Sequence, residues 1–290
     1  VKTYPGAVFK PLGPQAEPTM TGHDVLCLHT MVGVLASTDG YFRHGNGEGY
    51  AGTESHYGVG GKWGKDAALG LDGTVWQWQD RRYEADANLD GRHRVISIET
   101  ADNFPASAAD IEPWTPLQCE AISQLLAWES TVEAHADCPP SWTCHREGIP
   151  LALIPDTLPG RRGVGYHQQG CDPWRVSGGV LWSPSRGKVC PGARRIAQIP
   201  AVIARAIEIT QGDDMTAEQA AQLQDIHDRQ IPLVHAALQA TLASVGAQVA
   251  TLAAAVQAVG AGQSIDPAVL TAAAEAGARK VLADIGQAAG

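Results

Sequence analysis

The sequence predicts an α/β domain followed by an all-helical region, and three observations predict it. Before Gly212, short apolar runs bounded by turn residues alternate with stretches that read as capped helices. A segment rich in Gly, Pro and Arg runs from Pro155 to Pro191, and so long a loop inside a compact domain usually carries function. After Gly212 the composition changes: all eight Trp lie between Trp63 and Trp182, and no Trp, Tyr, Phe or Cys follows. The boundary falls at Gln211-Gly212-Asp213-Asp214, which divides the chain into residues 1–212 and 213–290.

Val25-Leu26-Cys27-Leu28-His29 is an apolar run of strand length, and Ser55 to Gly60 reads as a second strand. Thr74 to Trp78 follows Asp72-Gly73, a favoured turn dipeptide, so the two sides of that turn are expected to form a hairpin. Arg94 to Thr100 reads as a central strand ending on Glu99-Thr100. Thr115-Pro116 opens a helix, because Thr caps orphan amides and Pro suits the first turn, and apolar side chains follow through Leu126 and Trp128. A further helical pattern covers about Arg194 to Thr210.

The region 213–290 reads as helix. Thr216 caps its start with Glu218 in the first turn, Pro232 kinks or restarts the chain, and Asp266-Pro267 opens a last helix ending near Ile285. Leu238, Leu242, Val245, Val249, Leu252, Val256 and Val259 recur at alternating steps of four and three, a heptad seam. No Asp, Glu, Lys or Arg occurs from Gln230 to Ile265. The preferred reading is a homo-oligomer formed through these small-residue helices. Packing on the first region ranks second. A membrane surface ranks third, because an interfacial helix usually brings Lys or Arg on its polar face.

At 290 residues the chain has room for one catalytic core and an appendage. Its net charge of −10 argues against a nucleic-acid binder, which needs a basic face to displace counterions. No apolar run is long enough to suggest a membrane span, and Val1 to Pro11 shows no basic-then-apolar signal pattern. The six cysteines are too few for a disulfide scaffold and lack a paired CxxC spacing, so most are expected to be buried small apolar groups. Cys138 and Cys144 flank a Pro-Pro turn. A disulfide between them ranks first, free thiols second, and a metal clip with the nearby His135 or His145 third.

Three segments carry the chemistry: Leu28-His29-Thr30, Gly163-Val164-Gly165-Tyr166-His167-Gln168, and Gly187-Lys188-Val189-Cys190-Pro191-Gly192. Each alone is weak, since a lone His is usually a polar group satisfied by hydrogen bonds. Together, from about Tyr4 to Thr210, they resemble the type-2 N-acetylmuramoyl-L-alanine amidases and peptidoglycan recognition proteins. The runs Leu26-Cys27-Leu28-His29-Thr30-Met31-Val32-Gly33, Gly165-Tyr166-His167 and Ser185-Arg186-Gly187-Lys188-Val189-Cys190-Pro191-Gly192 carry the likeness, which is nearest to endolysins of phages infecting actinomycetes.

The resemblance implies a central mixed β-sheet flanked by helices, with a Zn2+ site of His29, His167 and Cys190 in a cleft at one edge. Imidazole and thiolate suit zinc, and a catalytic zinc keeps three protein ligands and one open position. The resemblance also implies that Glu99 is the general base and that Lys188 stabilises the oxyanion. A carboxylate closing the apolar strand Val95 to Ile98 is out of place unless it faces a cleft, and Lys188 shares a face with Cys190 in an extended segment. Some relatives place a catalytic tyrosine where Ser55 stands here, leaving that load to Glu99, His56 or Tyr57. Trp174, Trp182, Arg161, Arg162, Arg175 and Arg186 either line the substrate groove or pack the long loop down. The segment Ala134 to Gly148 is additional to what the resemblance implies.

The expected function is cleavage of the MurNAc–L-Ala amide of peptidoglycan by a phage lysin, made in the host cytoplasm and acting at the wall after release. The alternatives are a peptidoglycan-binding module without catalysis, a cell-wall recycling amidase of the same chemistry, and a metal-independent hydrolase with Cys190 as nucleophile and His167 as base.

Overall fold

The computed structural model describes residues 3–12, 18–44, 54–103 and 111–212, and a subset of positions between 242 and 275. The chain divides into two compact units, Val1–Asp213 and Asp214–Gly290.

The first unit is built on a six-stranded sheet. In chain order the strands are β1 (Ala7–Phe9), β2 (Val25–Leu28), β3 (Tyr57–Val59), β4 (Val75–Gln77), β5 (Val95–Thr100) and β6 (Gly163–Tyr166). Across the sheet they stand in the order β1-β4-β3-β5-β2-β6. β3, β5, β2 and β6 are mutually parallel, whereas β4 runs against β3 and β1 runs parallel to β4. The sheet is therefore mixed. The helices are α1 (Leu35–His44), α2 (Gly64–Leu69), α3 (Pro116–Glu129), α4 (Thr143–Glu147), α5 (Ala193–Ile196) and α6 (Ile199–Thr210).

Alternation along the central strands decides which face each side chain takes. Leu26, Leu28, Ile96, Ile98 and Val164 point into the main core, where they meet Ile122, Leu125 and Leu126 of α3 and Ile199, Val202 and Ile203 of α6. Val25, Cys27 and Val95 point the other way, toward Ile154 and Trp182. α3 starts as its sequence requires. Thr115 Oγ1 accepts from the Gln118 amide at 3.0 Å, Gln118 Oε1 accepts from the Thr115 amide at 3.0 Å, and Pro116 fills the first turn. The Ser123 hydroxyl, donating to the Val202 carbonyl at 3.0 Å, ties α3 to α6.

Three expectations are corrected. Asp72-Gly73 does not join two paired strands, because α2 precedes it and the partner of β4 is the earlier β3. Gly73 instead takes φ +76 in a turn closed by the Thr74 amide on the Leu71 carbonyl, returning the chain from the helix to the sheet. The helix expected over 194–210 is two, α5 and α6. Pro200 sits in the first turn of α6, where its missing amide costs nothing, and not inside one long helix. The long loop contains β6, a strand hidden by its two glycines, which have poor strand propensity and no side chain to mark a pattern. The outer edge of β6 is shielded by the segment at Ile154, whose amide donates to the Val164 carbonyl.

In the second unit, Leu242, Val245, Val249 and Val256 are helical and at least half exposed. Asp266 caps a helix beginning at Pro267, its side chain accepting from the Ala268 amide at 2.8 Å. Thr216, Glu218, Pro232, Leu238, Leu252, Val259 and Ile285 lie outside the described residues, as do Asp213 and Asp214 of the proposed boundary. Among the described residues no helix is long and apolar enough to cross a membrane.

Candidate metal centre

Strand register builds the site. Leu28 pairs with Ile98 on one side and with Tyr166 on the other. The next residue of each parallel strand is then Glu99, His29 and His167, one row across β5, β2 and β6. All three side chains leave from the same face at the carboxyl ends of the strands, the edge where open α/β sheets place ligands. Cys190 arrives from the loop before α5, held by the Gln168 amide, which donates to its carbonyl at 2.8 Å.

The potential ligand atoms of His29, His167 and Cys190 all lie within 4.8 Å of one another, and all three residues are buried. The two imidazole rings are tilted at 48° with centroids 4.2 Å apart. Asn88 Oδ1 lies 3.1 Å from His29 Nε2, and the Trp182 carbonyl lies 3.0 Å from His167 Nε2. Each acceptor holds a proton on Nε2 and leaves the Nδ1 lone pair free. His167 Nδ1 is buried without a hydrogen-bond partner among the described residues, and so is Glu99 Oε2. Glu99 Oε1 stands 3.6 Å from His29 Nδ1.

The electrostatics fit a metal ion. Burial, then the positive charges of His167 and Lys188, hold His29 well below the usual imidazole range. Burial and then Lys188 lower His167 to about 3. Both rings are neutral at pH 7, the form that ligates. Burial, reinforced by the Glu99 charge, pushes the Cys190 thiol up. Burial pushes the Glu99 carboxyl up to about 8, with Lys188 opposing and Asp102 adding to the rise. A buried dication is the natural stabiliser of a thiolate and a carboxylate placed together. Two imidazoles and one thiolate are a donor set suited to zinc.

Beneath the site lies a polar floor that sequence reasoning missed. Thr30 donates its amide to Cys190 Sγ at 3.2 Å. Its hydroxyl donates to Asp102 Oδ2 and accepts from Arg195 Nη1 at 3.1 Å. Arg195 is wholly buried and also donates to the Thr100 hydroxyl at 2.8 Å and to the carbonyls of Ala101 at 2.8 Å and Glu112 at 2.9 Å. Asn88 was missed as well, because it sits in an irregular turn where Leu89 takes φ +37, and no local pattern marks it. Asn88→Ala is expected to weaken metal binding about 10–100-fold, the usual effect of losing such an orienting partner. Competition with a zinc chelator would measure it, and unchanged affinity would show that Asn88 does not orient His29.

The site opens into a cleft of about 590 Å³ lined by Thr30 to Gly33, by Tyr41 and Phe42 of α1, and by Glu99 and Gly187 to Cys190. Lys188 is exposed on its rim. Val32, a β-branched residue at φ +50, also lines it, so the cleft wall holds backbone strain.

The remaining candidates lie elsewhere. His56 is buried with Nε2 on the Tyr83 carbonyl at 3.0 Å and Nδ1 accepting from the Ser97 amide at 3.1 Å. Tyr57 is buried with its hydroxyl donating to Glu129 at 2.9 Å. Ser55 donates to the backbone of Ser97 at 2.9 Å. None of the three lines the cleft, whereas Glu99 does. Trp182 packs the loop down on Val25 and Val95. Arg161 pairs with Asp156, Arg162 with Glu147, and Arg175 with Asp172. Trp174 is 44% exposed, Arg186 is exposed, and neither lines the cleft.

Neither a family model nor a curated protein sequence matches the chain. Two solved structures from Clostridium intestinale URNW are similar to it. One is an endolysin N-acetylmuramoyl-L-alanine amidase, LysCS, at 14% identity, 70% of this chain, 99% of that chain and a TM-score of 0.39. The other is the N-acetylmuramoyl-L-alanine amidase LysC, at 15% identity, 69% of this chain, 99% of that chain and a TM-score of 0.40.

Proposed function

We propose that the chain is a zinc-dependent N-acetylmuramoyl-L-alanine amidase that cuts peptidoglycan as a phage lysin, acting at the wall after release from the host cytoplasm. The observation that carries this reading is the convergence of His29, His167 and Cys190 from three distant segments beside Glu99, next to an open cleft that Glu99 and Cys190 line. The motif resemblance in those same segments supports the choice of substrate.

His29, His167 and Cys190 would hold a zinc ion, which would supply Lewis-acid chemistry toward the water and the scissile carbonyl. Glu99 takes the proton of the attacking water on its carboxylate. The water oxygen joins the lactyl carbonyl carbon of the muramic acid, the C–N bond breaks, and Glu99 returns the proton to the leaving nitrogen. The second proton of the water leaves the new carboxylic acid for the amine, so the products are a carboxylate and a peptide with a free, protonated L-alanine amine. Lys188 on the rim offers positive charge to the developing oxyanion. Tyr41, 47% exposed in the cleft wall, offers a face for a sugar ring.

A metal-independent cysteine hydrolase fits less well. Cys190 Sγ is buried and its thiol pKa is raised by that burial. A nucleophilic cysteine needs the opposite shift.

The test is release of soluble peptide carrying a new amino-terminal alanine from purified actinobacterial walls, with zinc counted in the same protein. Cys190→Ala is expected to lose the activity together with one zinc per chain. Full activity in the chelated protein would leave the cysteine hydrolase. Zinc retained without cleavage of any wall would leave a recognition module.

A further inference from the structure

Four potential metal ligands meet at a second place, away from the cleft. His23, His135, Cys138 and Cys144 are all buried, and their potential ligand atoms lie within 4.8 Å of one another. His23 comes from the turn just before β2, and the other three from the connection between α3 and β6 that includes α4. Cys138 and Cys144 are free thiols. The disulfide ranked first by sequence is absent, and the histidine from the far segment is His23, where local spacing had offered His145. His145 instead places Nδ1 3.2 Å from the His135 carbonyl.

The imidazoles carry the argument. His23 Nε2 lies 2.7 Å from the Arg81 carbonyl and His135 Nε2 lies 2.8 Å from the Glu129 carbonyl. A carbonyl only accepts, so each Nε2 holds a proton and each ring turns its Nδ1 inward. Those two Nδ1 atoms face each other at 3.0 Å. Two lone pairs at that distance repel unless a proton or a cation lies between them. Arg81 Nη1 comes within 3.4 Å of His135 Nδ1, but it is committed to Glu129 Oε2 at 3.0 Å. Cys138 Sγ lies 3.5 Å from His23 Nδ1 and 4.0 Å from His135 Nδ1. Zinc bonds of about 2.0–2.3 Å place tetrahedral N and S ligands about 3.3–3.8 Å apart, close to this spacing.

We propose that His23, His135, Cys138 and Cys144 form a second, structural zinc site. The set supplies four protein ligands, two neutral imidazoles and two thiolates, whose charge balances the dication. With four protein ligands it keeps no open position for substrate, unlike the cleft. Backbone carbonyls orient both rings, the arrangement that metal-ligating histidines use. The ion would clip the segment 134–148 to the start of β2. His29 stands at the other end of that strand, six residues on and about 20 Å away, so the two sites occupy opposite ends of one strand.

The test separates the two sites in the full chain. Zinc per chain is counted in wild type, Cys190→Ala and the double variant Cys190→Ala/Cys144→Ser, all purified without chelator. The expected counts are two, one and none. If the double variant does not fold, cobalt loaded into Cys190→Ala decides, through charge-transfer absorption from thiolates where no cleft cysteine remains. Chelation of Cys190→Ala is also expected to lower its melting temperature, because binding energy at a structural site is folding energy. No zinc and no thiolate–cobalt band in Cys190→Ala, or a Cys138–Cys144 disulfide in the native protein, would overturn the proposal. One zinc in wild type and none in Cys190→Ala would do so while leaving the amidase reading intact.

Discussion

Glu99→Gln is expected to lower kcat by about 10²–10⁴-fold, the usual worth of a positioned general base, with zinc content and melting temperature unchanged. The change is nearly isosteric and removes only the ability to take a proton. Oε2 has no hydrogen-bond partner among the described residues, so an amide nitrogen there breaks no bond. Burial disfavours a charge at this position, pushing the carboxyl up to about 8, so a neutral amide of the same shape is tolerated there and stability is expected to be kept while activity falls. Burst and steady-state measurements on a soluble muramoyl peptide would separate kcat from KM. A variant within a few-fold of wild type would remove Glu99 from the chemistry and return attention to Lys188.

His29, His167, Cys190 and Lys188 were singled out by a motif resemblance, each segment alone being weak, and Glu99 also because an acid closes an apolar strand. The structure brings His29, His167 and Cys190 together, with Glu99 beside His29. The row that joins Glu99, His29 and His167 was not legible, since it depends on the register of β5, β2 and β6, and register is a property of pairs of strands. β6 itself was invisible because Gly163 and Gly165 erase the period-two signal. Asn88, Arg195 and His23 lie far in sequence from the groups they touch, so no window along the chain could associate them. The turn at Asp72-Gly73 was identified correctly, but its neighbours were not, because a turn dipeptide marks a reversal without saying what is reversed.

Arg81→Met is expected to destabilise the first unit by about 3–5 kcal/mol, the cost of leaving a buried charge without its partner. Arg81 is 2% exposed and Glu129 is wholly buried, with Nη1 and Oε2 3.0 Å apart. The guanidinium also donates to the Ala134 carbonyl at 2.6 Å and stacks over Trp128 at 4.6 Å, so its planar fork bridges α3 and the added segment. Removing it strands Glu129, whose other oxygen accepts from Tyr57 at 2.9 Å. The double variant Arg81→Met/Glu129→Gln is therefore expected to be more stable than Arg81→Met alone, because the orphaned charge is gone. Urea unfolding of the four corners of that cycle measures the coupling. Equal stability of the single and double variants would mean that Arg81 acts through packing and not through Glu129. The loss also has a place: Ala134 adjoins the proposed second zinc site and His135 is one of its ligands, whereas the cleft residues keep their contacts. Below its melting temperature, Arg81→Met should thus release zinc from the second site first and keep its activity on walls. Loss of both in parallel would show that the two ends of β2 do not respond independently.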